Sequence, residues 1–147
     1  MREFTKKHLE EILGLKRGTV DHYYREELVK PEIDDPTGRG TRRRYSARNL
    51  IEFAMIRELV ASGIPIKKIK QLFVEARKLG AVEWFDPNAE WLKKSRVLLV
   101  VFRQGEPVFE FNWRSDAVTL DRVMKGRTSA TIIDVSAIAG QLKEFIT

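Results

Sequence analysis

Along residues 5–13 the apolar positions Leu9, Ile12 and Leu13 recur at the spacing of one helix face. Thr5 precedes that face as an N-cap, and Gly14 behind it tolerates the positive φ on which a helix commonly ends. A second helix is expected over about Arg17–Glu27, with Val20, Tyr23, Tyr24 and Leu28 as its apolar face. Gly18 then lies inside that helix, where glycine costs about 1 kcal/mol relative to alanine. Two short helices joined through a glycine turn make a helix-turn-helix pattern. Lys30-Pro31 closes the second helix, because the residue before proline disfavours the α region.

The run Asp34-Asp35-Pro36-Thr37-Gly38-Arg39-Gly40 is dense in turn formers and joins two extended stretches near Pro31–Ile33 and Arg43–Tyr45. This reads as a β-hairpin wing with its arginines at or beside the tip. Ser46 caps a third helix, Ala47–Ser62, with Leu50, Ile51, Phe53, Ala54, Ile56, the Arg57 stem, Leu59 and Val60 in the core. Gly63 breaks it. Pro65 opens a fourth helix, Ile66–Leu79, with Ile66, Ile69, Leu72, Phe73 and Ala76 inward and Lys67, Lys68 and Lys70 outward.

Beyond residue 83 the pattern changes period. Trp84–Ser95 reads as a connector interrupted by Pro87, with a brief helix over Asn88–Lys94. Val97–Arg103 and Pro107–Arg114 are strand-like runs flanking Gln104-Gly105-Glu106, a hairpin signal, and the second alternates Val108, Glu110 and Asn112 with Phe109, Phe111 and Trp113. Asp116–Lys125 fits either a strand or a short helix, Ala130–Val135 reads as a strand, and Ser136–Phe145 as a terminal helix capped by Ser136. The fold class is therefore α+β: an N-terminal winged helix-turn-helix unit, 1–83, followed by a small C-terminal α+β module with a β-hairpin, 84–147.

Charge sharpens this division. The chain has 147 residues, a net charge of +6 and no cysteine. Residues 1–83 hold 18 basic against 13 acidic residues, a balance of +5, and residues 84–147 hold 9 against 8. Arg39, Arg42, Arg43, Arg44 and Arg48 fall within ten residues that contain no acid. Clustered guanidinium groups suit a polyanion, since each pairs phosphate oxygens bidentately; a solvated loop face is the other reading of such a run. Without cysteine, disulfides and thiolate metal sites are excluded. No apolar run approaches the ~20 residues of a membrane span, and Met1–Lys7 is polar with no apolar segment behind it. A cytoplasmic protein without membrane contact is expected.

Catalysis has little to stand on. The chain has no glycine-rich phosphate loop, no nucleophile elbow and no clustered His/Asp/Glu constellation, so no enzyme, metal or cofactor is expected. His8 and His22 read as surface or phosphate-facing groups. The aromatics Trp84, Phe85, Trp91, Phe102, Phe109, Phe111 and Trp113 read as core or dimer interface in preference to a ligand pocket.

Residues 4–78 resemble the winged-helix DNA-binding domain of MerR-type transcription regulators. The resemblance rests on FTKKHLEEILGL (4–15), TVDHYYREELVKP (19–31), GRGTRRRYS (38–46) and RNLIEFAMIRELVASGIPIKKIKQLF (48–73), four motifs in register over about half the chain. It implies that the second helix enters the major groove, with Lys16, Arg17 and Thr19 near base edges or flanking phosphates and Tyr23 approaching the backbone. It implies equally that Arg42, Arg43, Arg44 and Tyr45 of the wing reach phosphates or the minor groove. Asp21 stands where the family usually has a basic residue; it either accepts from cytosine N4 or pairs with Arg17 or Arg25, and the ion pair is preferred. Gly80 and Pro87 leave no room for the long dimerisation helix of many relatives.

The function these features imply is a DNA-binding transcription regulator, acting as a homodimer on a two-fold operator in double-stranded DNA. The C-terminal module would then dimerise the chain, take a small-molecule effector or grip a protein partner. The alternative is an antitoxin- or adaptor-type protein whose C-terminal module binds a protein partner and whose DNA binding serves autoregulation.

Overall fold

The computed structural model describes residues 2–36, 42–78, 98–104, 106–112 and 124–146. Helix α1, Lys6–Leu13, starts on a reciprocal cap: Thr5 Oγ1 accepts from the His8 N–H at 3.3 Å, and His8 Nδ1 accepts from the Thr5 N–H at 3.3 Å. It ends on Gly14 at φ 64°, as a left-handed C-cap favours glycine. Helix α2 is shorter than its pattern, Thr19–Arg25, and Gly18 is its N-cap at φ 89°. Gly18 thus sits ahead of the helix, and a conformation few other residues adopt replaces the expected interior cost.

Helix α3, Ala47–Ala61, is capped by Ser46 as its sequence implies, with Asn49 completing the box. It is buried without interruption from Asn49 to Ile56, which marks it as the central helix of the fold. Val60, expected in the core, lies 38% exposed because it sits on the outer side of the last turn. Helix α4, Ile66–Lys78, buries Ile69, Leu72, Phe73 and Ala76.

The wing is narrow. Asp34 and Arg44 exchange backbone hydrogen bonds of 3.1 and 2.9 Å. On the other side Tyr45 exchanges bonds of 2.9 and 2.8 Å with Phe4, so the segment before α1 forms a further strand of the wing base. The wing tip, residues 37–41 with Arg39, lies outside the described residues.

In the C-terminal part β1, Leu98–Gln104, is the central strand of an antiparallel sheet of order β2-β1-β3. Strand β2, Glu106–Asn112, pairs Gln104 with Glu106, so the hairpin closes where its sequence signal stands. Strand β3, Ser129–Asp134, pairs with the other edge of β1. Helix α5, Val135–Gln141, follows at once, and its cap is Asp134, whose Oδ1 accepts from the Ala137 N–H at 2.9 Å; the expected cap Ser136 is already helical. A short α6, Lys143–Ile146, follows. Leu99, Val101, Ile133, Val135, Ile138 and Leu142 join one buried cluster with the residues of α1–α4. The expected connector over Trp84–Ser95, the boundary at 83 and the ambiguous stretch to residue 123 lie outside the described residues, as do the side chains of β2.

Candidate nucleic-acid interface

The turn between α1 and α2 is held open by two left-handed glycines, Gly14 and Gly18. Between them Lys16 and Arg17 are exposed, and Thr19, just behind Gly18, is half-buried at the head of α2. On its inner side α2 buries Val20 and Tyr23 against α3. Tyr23 stacks on Phe53 at 6.4 Å between centroids, and Tyr45 meets the same ring edge-on at 5.4 Å. One aromatic on α3 therefore fixes both the helix and the wing.

Two residues expected at the interface are buried. Tyr23 is 6% and Tyr45 1% exposed, so both are core residues of the scaffold. Burial pushes both phenols above their ordinary pKa. The helical period had already placed Tyr23 on the apolar face, and the fold follows the period.

The wing arginines differ from one another. Arg42 is exposed. Arg44 pairs with Glu3 at 2.9 Å and with Asp34 at 3.3 Å, while 48% of its side chain stays accessible. Arg43 turns inward toward α2. Its Cζ lies 3.6 Å from the centroid of the Tyr24 ring, its Nη1 is 3.4 Å from Asp21 Oδ1, and its Nε is 3.9 Å from Asp35 Oδ1. Asp21 does form the preferred ion pair, but with Lys6 at 2.9 Å and with Arg43, in place of Arg17 or Arg25.

Acidic groups shape the rest of the face. Glu10 Oε2 accepts from the Val20 N–H at 3.4 Å, placing a carboxylate at the start of α2. A groove of about 1040 Å³ between α1 and α2 is lined by Lys6, Lys7 and Arg17 against Glu10, Glu11 and Asp21. With both signs balanced, it is no closed phosphate pocket; Lys16 and Arg42 are exposed outside its lining. Among the described residues no group of three or more His, Cys, Asp and Glu side chains is placed to hold a metal ion. Nor is any described helix long and apolar enough to cross a membrane.

Sequence reasoning missed the residues that brace this face. Asn49, 1% exposed, accepts from the Glu32 and Ser46 N–H groups at 2.9 and 3.0 Å and donates to the Lys30 carbonyl at 3.0 Å. It ties the wing base to α3. The signal available was a polar residue at the N3 position behind Ser46, where a capping box places one.

Compared with known families, residues 4–75 match the model described as MerR HTH family regulatory protein. No curated protein matches the chain.

Proposed function

With residues 4–75 forming the helix-turn-helix region of a MerR-type regulator, we propose that the protein reads a two-fold operator in duplex DNA as a homodimer. Helix α2 enters the major groove by its head. There Lys16, Arg17 and Thr19 meet base edges and flanking phosphates, while Arg42 and the accessible side of Arg44 reach phosphates beside the wing. The observation that carries this reading is the exposure of Lys16 and Arg17 between two left-handed glycines, ahead of a helix whose other face is locked on Phe53. Half-sites lie about one helical turn, ~34 Å, apart or a multiple of it. Residues 84–147 assemble the dimer and carry any effector or protein partner.

Selection of bound duplexes from a random DNA pool, with the solution mass of the protein measured alongside, tests this. A two-fold motif and a dimeric mass are expected; failure to enrich any sequence overturns the reading.

A further inference from the structure

Asp21 is the place where three elements meet. It lies on α2, its Oδ2 is held by Lys6 at the start of α1, and its Oδ1 faces Arg43 of the wing. From the opposite side the Tyr24 hydroxyl donates to Asp35 Oδ1 at 2.9 Å, and Arg43 covers the Tyr24 ring. The cluster thus joins α1, two positions of α2 and both arms of the wing. We infer that Asp21 and Arg43 are positioning residues, which set the wing against α2 and act on operator affinity without touching DNA themselves. The inference rests on the DNA-binding reading above and assigns roles within it.

Three observations support it. The side chains of Asp21 and Arg43 are each only 27% exposed, against 48% for the neighbouring Arg44. The Arg43 guanidinium has one face on an aromatic ring and its N–H groups toward two carboxylates, so the planar fork that would grip a phosphate is already engaged. Its Nε is buried without a hydrogen bond and reaches Asp35 only at 3.9 Å. Stacking, charge and one hydrogen bond, from Nη1 to Asp21 Oδ1 at 3.4 Å, are what hold it, a combination lysine does not reproduce. A carboxylate facing DNA would also weaken binding by repulsion, unless a cation beside it neutralises it and the pair serves another purpose. Lys6 and Arg43 supply that neutralisation here.

The test uses the full chain, a duplex carrying the enriched sequence, and the variants Asp21→Asn, Arg43→Gln, Arg43→Lys and the double variant Asp21→Asn with Arg43→Gln. Each single change weakens binding by about tenfold, and the double change weakens it no further, as for two residues acting as one unit. The slope of log affinity against log salt stays at the wild-type value, and Arg43→Lys does not restore affinity. A slope reduced by about 0.9 in Arg43→Gln would make Arg43 a phosphate contact and overturn the inference. Tighter binding by Asp21→Asn, additive losses, or full rescue by lysine would overturn it as well.

A second measurement needs no DNA. Hydrogen exchange at the Arg44 amide, which donates to the Asp34 carbonyl at 2.9 Å, should accelerate in both single variants while the α3 amides keep their protection. Unchanged exchange at Arg44 refutes the positioning role. If the wild-type protein enriches no duplex, the proposed function fails, and the exchange measurement still decides whether the cluster holds the wing.

Discussion

Arg57 Nη1 donates to the Leu13 carbonyl across 2.9 Å, joining the second half of α3 to the last residue of α1. The final carbonyls of a helix have no partner within it, and here a charged donor 44 positions along the chain supplies one. The apolar stem of Arg57 was legible as a core-facing position from its period; the destination of its charge was not. Replacing Arg57 with Met keeps the stem and removes the donor. Urea unfolding should show a loss of about 1–2 kcal/mol, the lower range for a charge-assisted bond, because 33% of the side chain is exposed. Unchanged stability would mean that water replaces the bond without cost.

Gly18 and Gly140 make a matched pair of opposite sign. A Cβ added at either would meet no atom within 4 Å, so backbone conformation alone decides the outcome. Gly18 sits at φ 89°, and Gly18→Ala should cost about 1–2 kcal/mol. Gly140 lies in α5 with no positive φ, and Gly140→Ala should stabilise by about 0.5–1 kcal/mol. Thermal unfolding of the two variants checks both signs.

What could be read from the sequence divides along the range of the interactions. Thr5, Gly14 and Ser46 act on backbone within three or four residues, and each does in the fold what its local pattern implies. The hairpin around Gln104-Gly105-Glu106 was legible for the same reason. Tyr23 carried two signals, since its period pointed inward and its motif pointed toward DNA; its ring is buried on Phe53, as the period implies. The partners of Asp21 lie 15 and 22 residues away, on elements whose approach no local pattern encodes. For the same reason the sequence marked Arg42, Arg43 and Arg44 alike, while the fold gives each a different environment.

Glu52 makes the stability of this fold depend on pH. It lies on α3, 8% exposed, and burial lifts its carboxyl to about 7 from the ordinary 4.5; Arg77 of α4 and Arg48 oppose the rise, Glu32 adds to it, and Asn49 opposes it by a hydrogen bond. Between pH 4.5 and 7 the folded chain keeps a proton that the unfolded chain has released. Stability therefore falls as pH rises through this window, by on the order of 3 kcal/mol, and is flat with respect to this group above and below it. Glu52→Gln should remove that slope, measured by denaturant unfolding at half-unit pH steps. A slope that persists in the variant would assign it to another group.

Asn49 should be the least replaceable polar residue of the scaffold. Its carboxamide satisfies the Glu32 and Ser46 N–H groups and the Lys30 carbonyl together, and Asn49→Ala leaves all of them without their partner. At about 1–3 kcal/mol for each unpaired buried group, partly relieved by water near Lys30 and Glu32, a loss of roughly 3 kcal/mol or more is expected. Asn49→Asp keeps the two acceptor contacts but forfeits the donor to Lys30, so its loss should be smaller than that of alanine. The urea midpoints of the two variants give the comparison, and equal midpoints would show that the acceptor contacts contribute nothing.

Lys16, Arg17 and Arg42 separate contact from positioning on the face itself. All three are exposed, so alanine at each should leave the unfolding transition within about 0.5 kcal/mol of wild type. If each meets a phosphate, its removal lowers affinity for the selected duplex and reduces the salt slope by about 0.9. A base contact behaves differently. Its loss costs about 1–3 kcal/mol and relaxes sequence preference at one operator position, while affinity for unrelated DNA stays near the wild-type value. Arg42 should show the phosphate pattern, and Arg17, nearest the head of α2, the base pattern. Titrating each variant against selected and scrambled duplexes at several salt concentrations distinguishes the two, and wild-type slopes and preferences in all three variants would remove this face from the interface.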